Sequence, residues 1–154
     1  MSTGQVVLVV AVLLALAFGA YRAAVDGRFR GTHRVRGAAA PVAEERSGPV
    51  VTSVLADTPW AGSLGDRATF VQFSSAFCAP CRATRRILED VTAQAPGVAH
   101  VEIDAEHHLD LVRRLGVSRT PTTLVLDARG AELARAAGTP TKALVLQVLE
   151  SIGD

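Results

Sequence analysis

Apolar and polar positions change rhythm along this chain, and each rhythm predicts a different kind of structure. Positions 2–21 are 20 residues without a charge, and 6–21 are apolar except for Gly19. At about 1.5 Å rise per residue, such a helix reaches roughly 30 Å, the hydrocarbon thickness of a bilayer. The run is apolar on every face, so it predicts one N-terminal transmembrane helix over 1–21 and not the core helix of a globular fold. A secretory signal would open with Lys or Arg and end at a small-residue cleavage site. No side chain before Arg22 is charged, and these flanks favour an uncleaved anchor.

Residues 22–49 begin with a stretch rich in arginine, and 37–49 have no apolar period. Their arginines, Ala38-Ala39-Ala40-Pro41 and Ser47-Gly48-Pro49 read as a basic juxtamembrane segment followed by a flexible linker that holds a downstream domain clear of the lipid. From 50 to 154 the rhythm alternates. A short strand is expected at 50–54, and Thr58-Pro59 opens a short helix to Leu64. Residues 68–74 (Ala-Thr-Phe-Val-Gln-Phe-Ser) have the pattern of a strand buried on both faces. A helix over 78–95 carries Ile87, Leu88 and Val91 on one face and ends at Pro96-Gly97. A strand at 98–104, a helix at 109–115 ending at Gly116, a strand at 122–126, a turn at 127–130 and a returning strand at 132–137 follow. After Gly138, Thr139-Pro140 starts a last helix whose Leu144, Val145, Val148, Leu149 and Ile152 form an apolar face. This order predicts an α/β fold, an α/β/α sandwich with a mixed central sheet.

Charge adds an orientation. The net charge of the 154 residues is only +1, yet 22–36 holds five arginines against one aspartate, leaving 11 basic against 14 acidic residues elsewhere. A folded part that is mildly acidic argues against a nucleic-acid binder. Arg22, Arg28, Arg30, Arg34 and Arg36 all lie downstream of the apolar run, which favours a single-pass protein of the cell membrane with its C-terminal domain in the cytoplasm. Residues 1–36 are then the part that meets membrane lipid, the arginines facing anionic headgroups.

The chain has two cysteines, and they stand in Cys78-Ala79-Pro80-Cys81, where the buried strand gives way to a helix. A thiol at a helix N-terminus faces unpaired N–H groups and the positive end of the dipole, which favour the thiolate. Cys81, three residues on, is close to one helical turn away and within reach of the first sulfur. Pro80 in the first turn removes no helical hydrogen bond. Zinc would need two further ligands. The histidines offer only His33, His100 and the adjacent His107-His108, which would point about 100° apart on a helix. Redox chemistry is therefore favoured, with no metal and no cofactor: Cys78 attacks a partner disulfide and Cys81 resolves the mixed disulfide.

Over Phe70-Val71-Gln72-Phe73-Ser74-Ser75-Ala76-Phe77-Cys78-Ala79-Pro80-Cys81-Arg82 the chain resembles the thioredoxin family. Val101-Glu102-Ile103-Asp104 is similar to the family's third strand, and Gly116-Val117-Ser118-Arg119-Thr120-Pro121-Thr122 to the loop carrying its cis-proline. The resemblance runs from about Val50 to Ile152. It implies that Pro121 lies beside Cys78, that Thr120 offers backbone hydrogen bonds to an extended substrate, and that Phe77, Ala79, Pro80 and Gly138 complete the binding groove, with Phe77 shielding the site. Where the family has a buried aspartate, this chain has Gln72, which cannot titrate, so a proton at Cys81 needs water or another carboxylate such as Glu102. His100, near the position of a family lysine, reads as an exposed strand-end residue. Arg82, Arg85 and Arg86 read as a solvated face, and Trp60 as core packing.

The expected activity is that of a membrane-tethered protein disulfide reductase, a thiol–disulfide oxidoreductase. Its partners would be a protein disulfide substrate and an upstream electron donor, either similar to thioredoxin reductase or membrane-bound. The alternatives are an extracytoplasmic relative serving cytochrome c maturation or oxidative folding, and a noncatalytic module using the same groove.

Overall fold

The computed structural model describes residues 2–25, 27–31 and 53–152. Helix α1 (Thr3–Val25) is exposed over residues 3–22, and its stretch Thr3–Arg22 is long and apolar enough to cross a membrane. The elements that follow are β1 (Arg30–Gly31), β2 (Ala68–Ser74), α2 (Ala79–Thr92), β3 (Val98–Asp104), α3 (Leu109–Arg114), β4 (Thr122–Asp127), β5 (Glu132–Ala137) and α4 (Lys142–Glu150). They build one sheet in the order β1-β5-β4-β2-β3. Among the described residues only β2 and β3 run parallel, and α2 makes the crossover that a parallel pair requires.

All seven residues of β2 are buried, because β2 lies between β3 and β4 and both of its faces are covered. Successive side chains point to opposite faces. Val71 and Phe73 join Val101, Ile103, Leu124 and Leu126 in a core closed by Leu55 and by Leu111 of α3. Ala68 and Phe70 join Val125 in a second core, closed by Leu88 and Val91 of α2 and Val145 and Leu149 of α4. In α2 the buried Thr84, Leu88 and Val91 recur at helical spacing, which lays that helix along the sheet. The α/β/α layering expected from the element order is present.

Local chemistry shifts some boundaries. Residues 50–52 of the expected first strand lie outside the described residues, and 53–54 are not in a strand. The expected helix from Thr58 to Leu64 is a series of turns. There Thr58 Oγ1 donates to Leu55 O at 2.7 Å and accepts from Trp60 N at 3.3 Å, the side-chain competition that diverts a backbone from helix. The last helix starts at Lys142 and not at Thr139, because Thr141 is the N-cap and its hydroxyl accepts from Leu144 N at 3.3 Å. Trp60 is partly buried against the α3-side core and meets His108 edge-on, ring centroids 4.8 Å apart.

The region between α1 and the domain is not all linker. Gly27 N donates to Ala137 O at 2.8 Å, Arg30 and Gly31 pair with Arg135 and Ala134, and Phe29 packs against the α2–α4 core. Periodicity could not reveal so short an edge strand, since two residues carry no repeat. The pairing occupies part of the open edge of β5, which would otherwise present unpaired backbone groups.

His100 also differs from its sequence reading. It lies within β3, half-buried, and its Nε2 has no hydrogen-bond partner among the described residues. Burial pushes its pKa below the usual histidine value, and Arg85 adds to this while Glu102 and Glu89 oppose it. The folded protein therefore binds this proton less readily than the unfolded chain does. The group costs nothing well above the ordinary value of 6.5 and destabilises the fold as pH falls through it. Thermal unfolding of the full chain in detergent should show a midpoint that drops on acidification below that value, and His100→Gln should reduce the drop. In the same assay Leu88→Ala, at a fully buried position, should lose about 2–5 kcal/mol, whereas Leu146→Ala, at an exposed one, should stay within about 0.5 kcal/mol.

Candidate active site

The buried strand β2 ends at Ser74, and after the three loop residues 75–77 Cys78 forms the N-cap of α2, its backbone extended (φ −93°, ψ 98°) and Pro80 in the first turn. Cys78 is disulfide-bonded to Cys81. Cys81 N donates to Cys78 Sγ at 3.1 Å, so the sulfur occupies the place of a capping oxygen, at the positive end of the helix dipole. Cys81 is only 2% exposed, while Cys78 is half-buried and its neighbours Ala76, Phe77, Ala79 and Pro80 are exposed. Cys78 keeps partial exposure and Cys81 is enclosed behind it. Phe77 does not shield the pair as expected, because its side chain is fully exposed and projects from the loop.

Two other loops reach the same end of the sheet. The Thr120-Pro121 peptide is cis, Pro121 is buried, and its carbonyl accepts from Gly138 N at 2.8 Å. Gly138 has φ 96°, a conformation that favours glycine. Ser75 Oγ lies 2.9 Å from Thr120 Oγ1. Thr139 Oγ1 donates to Pro80 O at 3.2 Å and accepts from Thr84 Oγ1 at 3.2 Å. The residues named from the sequence, Phe77 before α2, Ala79 and Pro80 in its first turn, and Thr120, Pro121 and Gly138 on two loops, thus stand on three segments tied to one another. Sequence reasoning missed Thr139, the residue that ties the last loop to the cysteine turn. Its one visible signal, a Thr-Pro after glycine, reads as a helix start.

Beneath the pair, on the sheet, Gln72 is fully buried. Its amide Nε2 donates to Cys81 O at 2.9 Å and to Ser74 Oγ at 2.8 Å, and lies 3.4 Å from Glu102 Oε1. Ser74 Oγ donates to Glu102 Oε1 at 2.6 Å, and Arg85 Nη2 meets Glu102 Oε2 at 2.6 Å. The hydrogen bond to Glu102, followed by its charge, raises the pKa of Arg85, so Arg85 is more than part of a solvated face. Glu102 is thereby joined to the backbone of Cys81 through Ser74 and Gln72. Gln72 Oε1 has no partner among the described residues. A surface cavity of about 260 Å³ opens beside this network, lined by Ser74, Ser75, Ala76, Arg85, Glu102 and Asp104. Asp104 is held below the usual carboxylate range by hydrogen bonds from His107 and from Glu106 N. Among the described residues no three His, Cys, Asp or Glu side chains converge as metal ligands would.

Such an arrangement, a partly exposed cysteine at a helix mouth bonded to an enclosed one, is suited to thiol–disulfide exchange. Comparison with known proteins agrees with the geometry. The thioredoxin family profile matches residues 51–151. The chain is 32% identical over 79 residues to mitochondrial thioredoxin-2 of Schizosaccharomyces pombe, an alignment covering 51% of this chain and 59% of that relative, which is less than two thirds of its length. It is 25% identical over 99 residues to thioredoxin of Chlamydia muridarum, covering 64% of this chain and 96% of the relative. Among solved structures, chloroplastic thioredoxin z superposes with a TM-score of 0.54 at 26% identity, covering 61% of this chain and 84% of that one. A mutant thioredoxin from Halobacterium salinarum superposes at 0.55 and 21% identity, covering 61% and 80%, and supports the fold alone. With the cysteine pair, the cis-proline loop and the layered sheet all in place, the chain belongs to the thioredoxin family.

Proposed function

We propose that this protein is a membrane-anchored protein disulfide reductase whose soluble domain works on the cytoplasmic side. The observation that carries the reading is the placement of Cys78 Sγ as the N-cap of α2, accepting from Cys81 N at 3.1 Å and joined to a sulfur whose residue is 2% exposed. In the reduced state the Cys78 thiolate, favoured by that N–H and the helix dipole, attacks one sulfur of a substrate disulfide and expels the other as a thiolate. The thiolate of Cys81 then attacks Cys78 Sγ, reforms the internal disulfide and releases the second substrate thiol. Two electrons pass to the substrate, and the protons of both cysteines end on its thiols. An upstream dithiol donor restores the pair. Phe77 before α2 and Ala79 and Pro80 in its first turn, with Thr120, Pro121 and Gly138 on the two facing loops, would hold the substrate chain during the exchange.

The anchor reading rests on α1, apolar and exposed over Thr3–Arg22, and the orientation on the arginines that follow it. The full chain should float with lipid vesicles after alkaline carbonate treatment, and release would indicate that α1 does not span. Protease added to spheroplasts should leave the domain intact, whereas digestion from outside would place it on the extracytoplasmic face.

Cys78→Ser should abolish reduction of insulin disulfides by the full chain in detergent, down to the level of the buffer control. Cys81→Ser should accumulate mixed disulfides through Cys78, visible as adducts cleared by dithiothreitol. If Cys78→Ser lost reductase activity yet kept the in vivo phenotype, the groove would serve binding and not catalysis.

A further inference from the structure

The path of the chain between α1 and the sheet constrains where the cysteine pair can work. Helix α1 ends at Val25, and by Gly27 the backbone is already bonded to the domain, Gly27 N donating to Ala137 O at 2.8 Å. Gly27 is buried with φ 76°, and a Cβ there would run into the carbonyl oxygen of Thr139, so the contact is close and needs glycine. Ala137 is at the end of β5 that pairs with Thr122, and Thr122 follows the cis-proline. Gly138 bonds to Pro121 and Thr139 bonds to Pro80. The chain therefore first meets the domain on the rim of the active site, at Gly27.

Lengths decide what this means. From Arg22 to Val25 the helix rises about 4.5 Å, and two peptide links add at most about 7.6 Å. Gly27 is thus within roughly 12 Å of the last residue of the apolar span, against a headgroup layer of about 5–8 Å. Three strand spacings separate β1 from β2, about 14 Å. A free linker over 22–49 would instead have let the pair roam about 30 Å. A soluble partner domain about 30 Å across does not fit between Gly27 at the site's rim and a headgroup surface at most about 7 Å from it, but a loop of a protein already in the bilayer does.

We infer that the Cys78–Cys81 pair works against the membrane surface, and that its exchange partner is an integral membrane protein presenting a disulfide at headgroup level. This rests on the reductase and anchor readings above. The reduced Cys78 attacks one sulfur of the membrane protein's disulfide, the other sulfur leaves as a thiolate, and Cys81 releases the second while the internal disulfide closes. The membrane protein gains two electrons and two protons, supplied by the same dithiol donor. The exposed Ala76, Phe77, Ala79 and Pro80 form an uncharged rim suited to such a loop.

The test compares the full chain in lipid vesicles with a variant carrying twenty Gly-Ser residues between Asp26 and Gly27, which lengthens the connection and leaves the β1–β5 pairing in place. For position, Cys81→Ser leaves Cys78 as the sole cysteine, since the sequence has two. A donor dye on Cys78 should transfer energy efficiently to acceptor-labelled headgroups, and severalfold less efficiently after the insertion. Equal transfer in the two chains would overturn the inference. For chemistry, the substrate is a disulfide peptide, either free or anchored to a headgroup by a two-residue spacer. The native chain should reduce the anchored peptide at least about tenfold faster than the free one, and the insertion should erase most of that preference. An insertion variant that reduces the short-spacer peptide as fast as the native chain does would overturn the inference even if position were as expected. Failure to reduce either peptide, with energy transfer intact, would overturn the reductase reading, and the inference with it.

Discussion

Burial of β2 on both faces is the constraint from which the site follows. A strand paired on both sides and covered by two cores has little freedom to slide, because a one-residue slip would exchange the faces of Phe70, Val71 and Phe73. Its end is therefore a stationary point, and the loop of residues 75–77 delivers Cys78 from it to the mouth of α2. That helix is held by Leu88 and Val91 against α4 and the sheet, which keeps the Cys81 N–H aimed at Cys78 Sγ. A mobile loop could supply two cysteines; it could not supply a fixed dipole behind one of them.

The polar network under the pair is compatible with the same core. A buried carboxylate loses more on leaving water than a neutral amide does, and Gln72 occupies this buried place with its Nε2 bonded to Cys81 O and Ser74 Oγ. The charge sits farther out, on Glu102, where Arg85 pairs with it and the side chain keeps some solvent. Backbone and charge are connected through neutral groups, which leaves the carboxylate at the edge of the site instead of directly beneath it.

The short strand β1 joins two parts of the molecule that the chain could have kept apart. Two paired residues and a buried glycine contribute little stability by themselves, yet Phe29 adds contact with the α2–α4 core. Together they give the domain's attachment to α1 a definite place on the sheet edge.

Much of this was legible from residue order. The strands at 68–74, 98–104 and 132–137 appear with the limits that alternation and turn residues indicate, and the helix after Cys78 follows from its apolar spacing, because a core must cover these faces whatever else the chain does. The cysteine pair was legible for the same reason: CxxC at a strand-to-helix junction leaves few other uses. Tertiary structure alone decided which hydroxyls were already engaged. Thr58 turned a predicted helix into turns and Thr141 moved the start of α4, while Thr139 bound Pro80. Each depends on a partner that periodicity does not register. Phe77 was expected to shield the site and is fully exposed, and His100 was expected at the surface and is half-buried, since accessibility is set by neighbours distant in sequence. The docking of 27–31 on β5 belongs to the same class: hydrogen bonding between backbones carries almost no side-chain signature, so only the folded sheet could show that the supposed tether begins inside the domain.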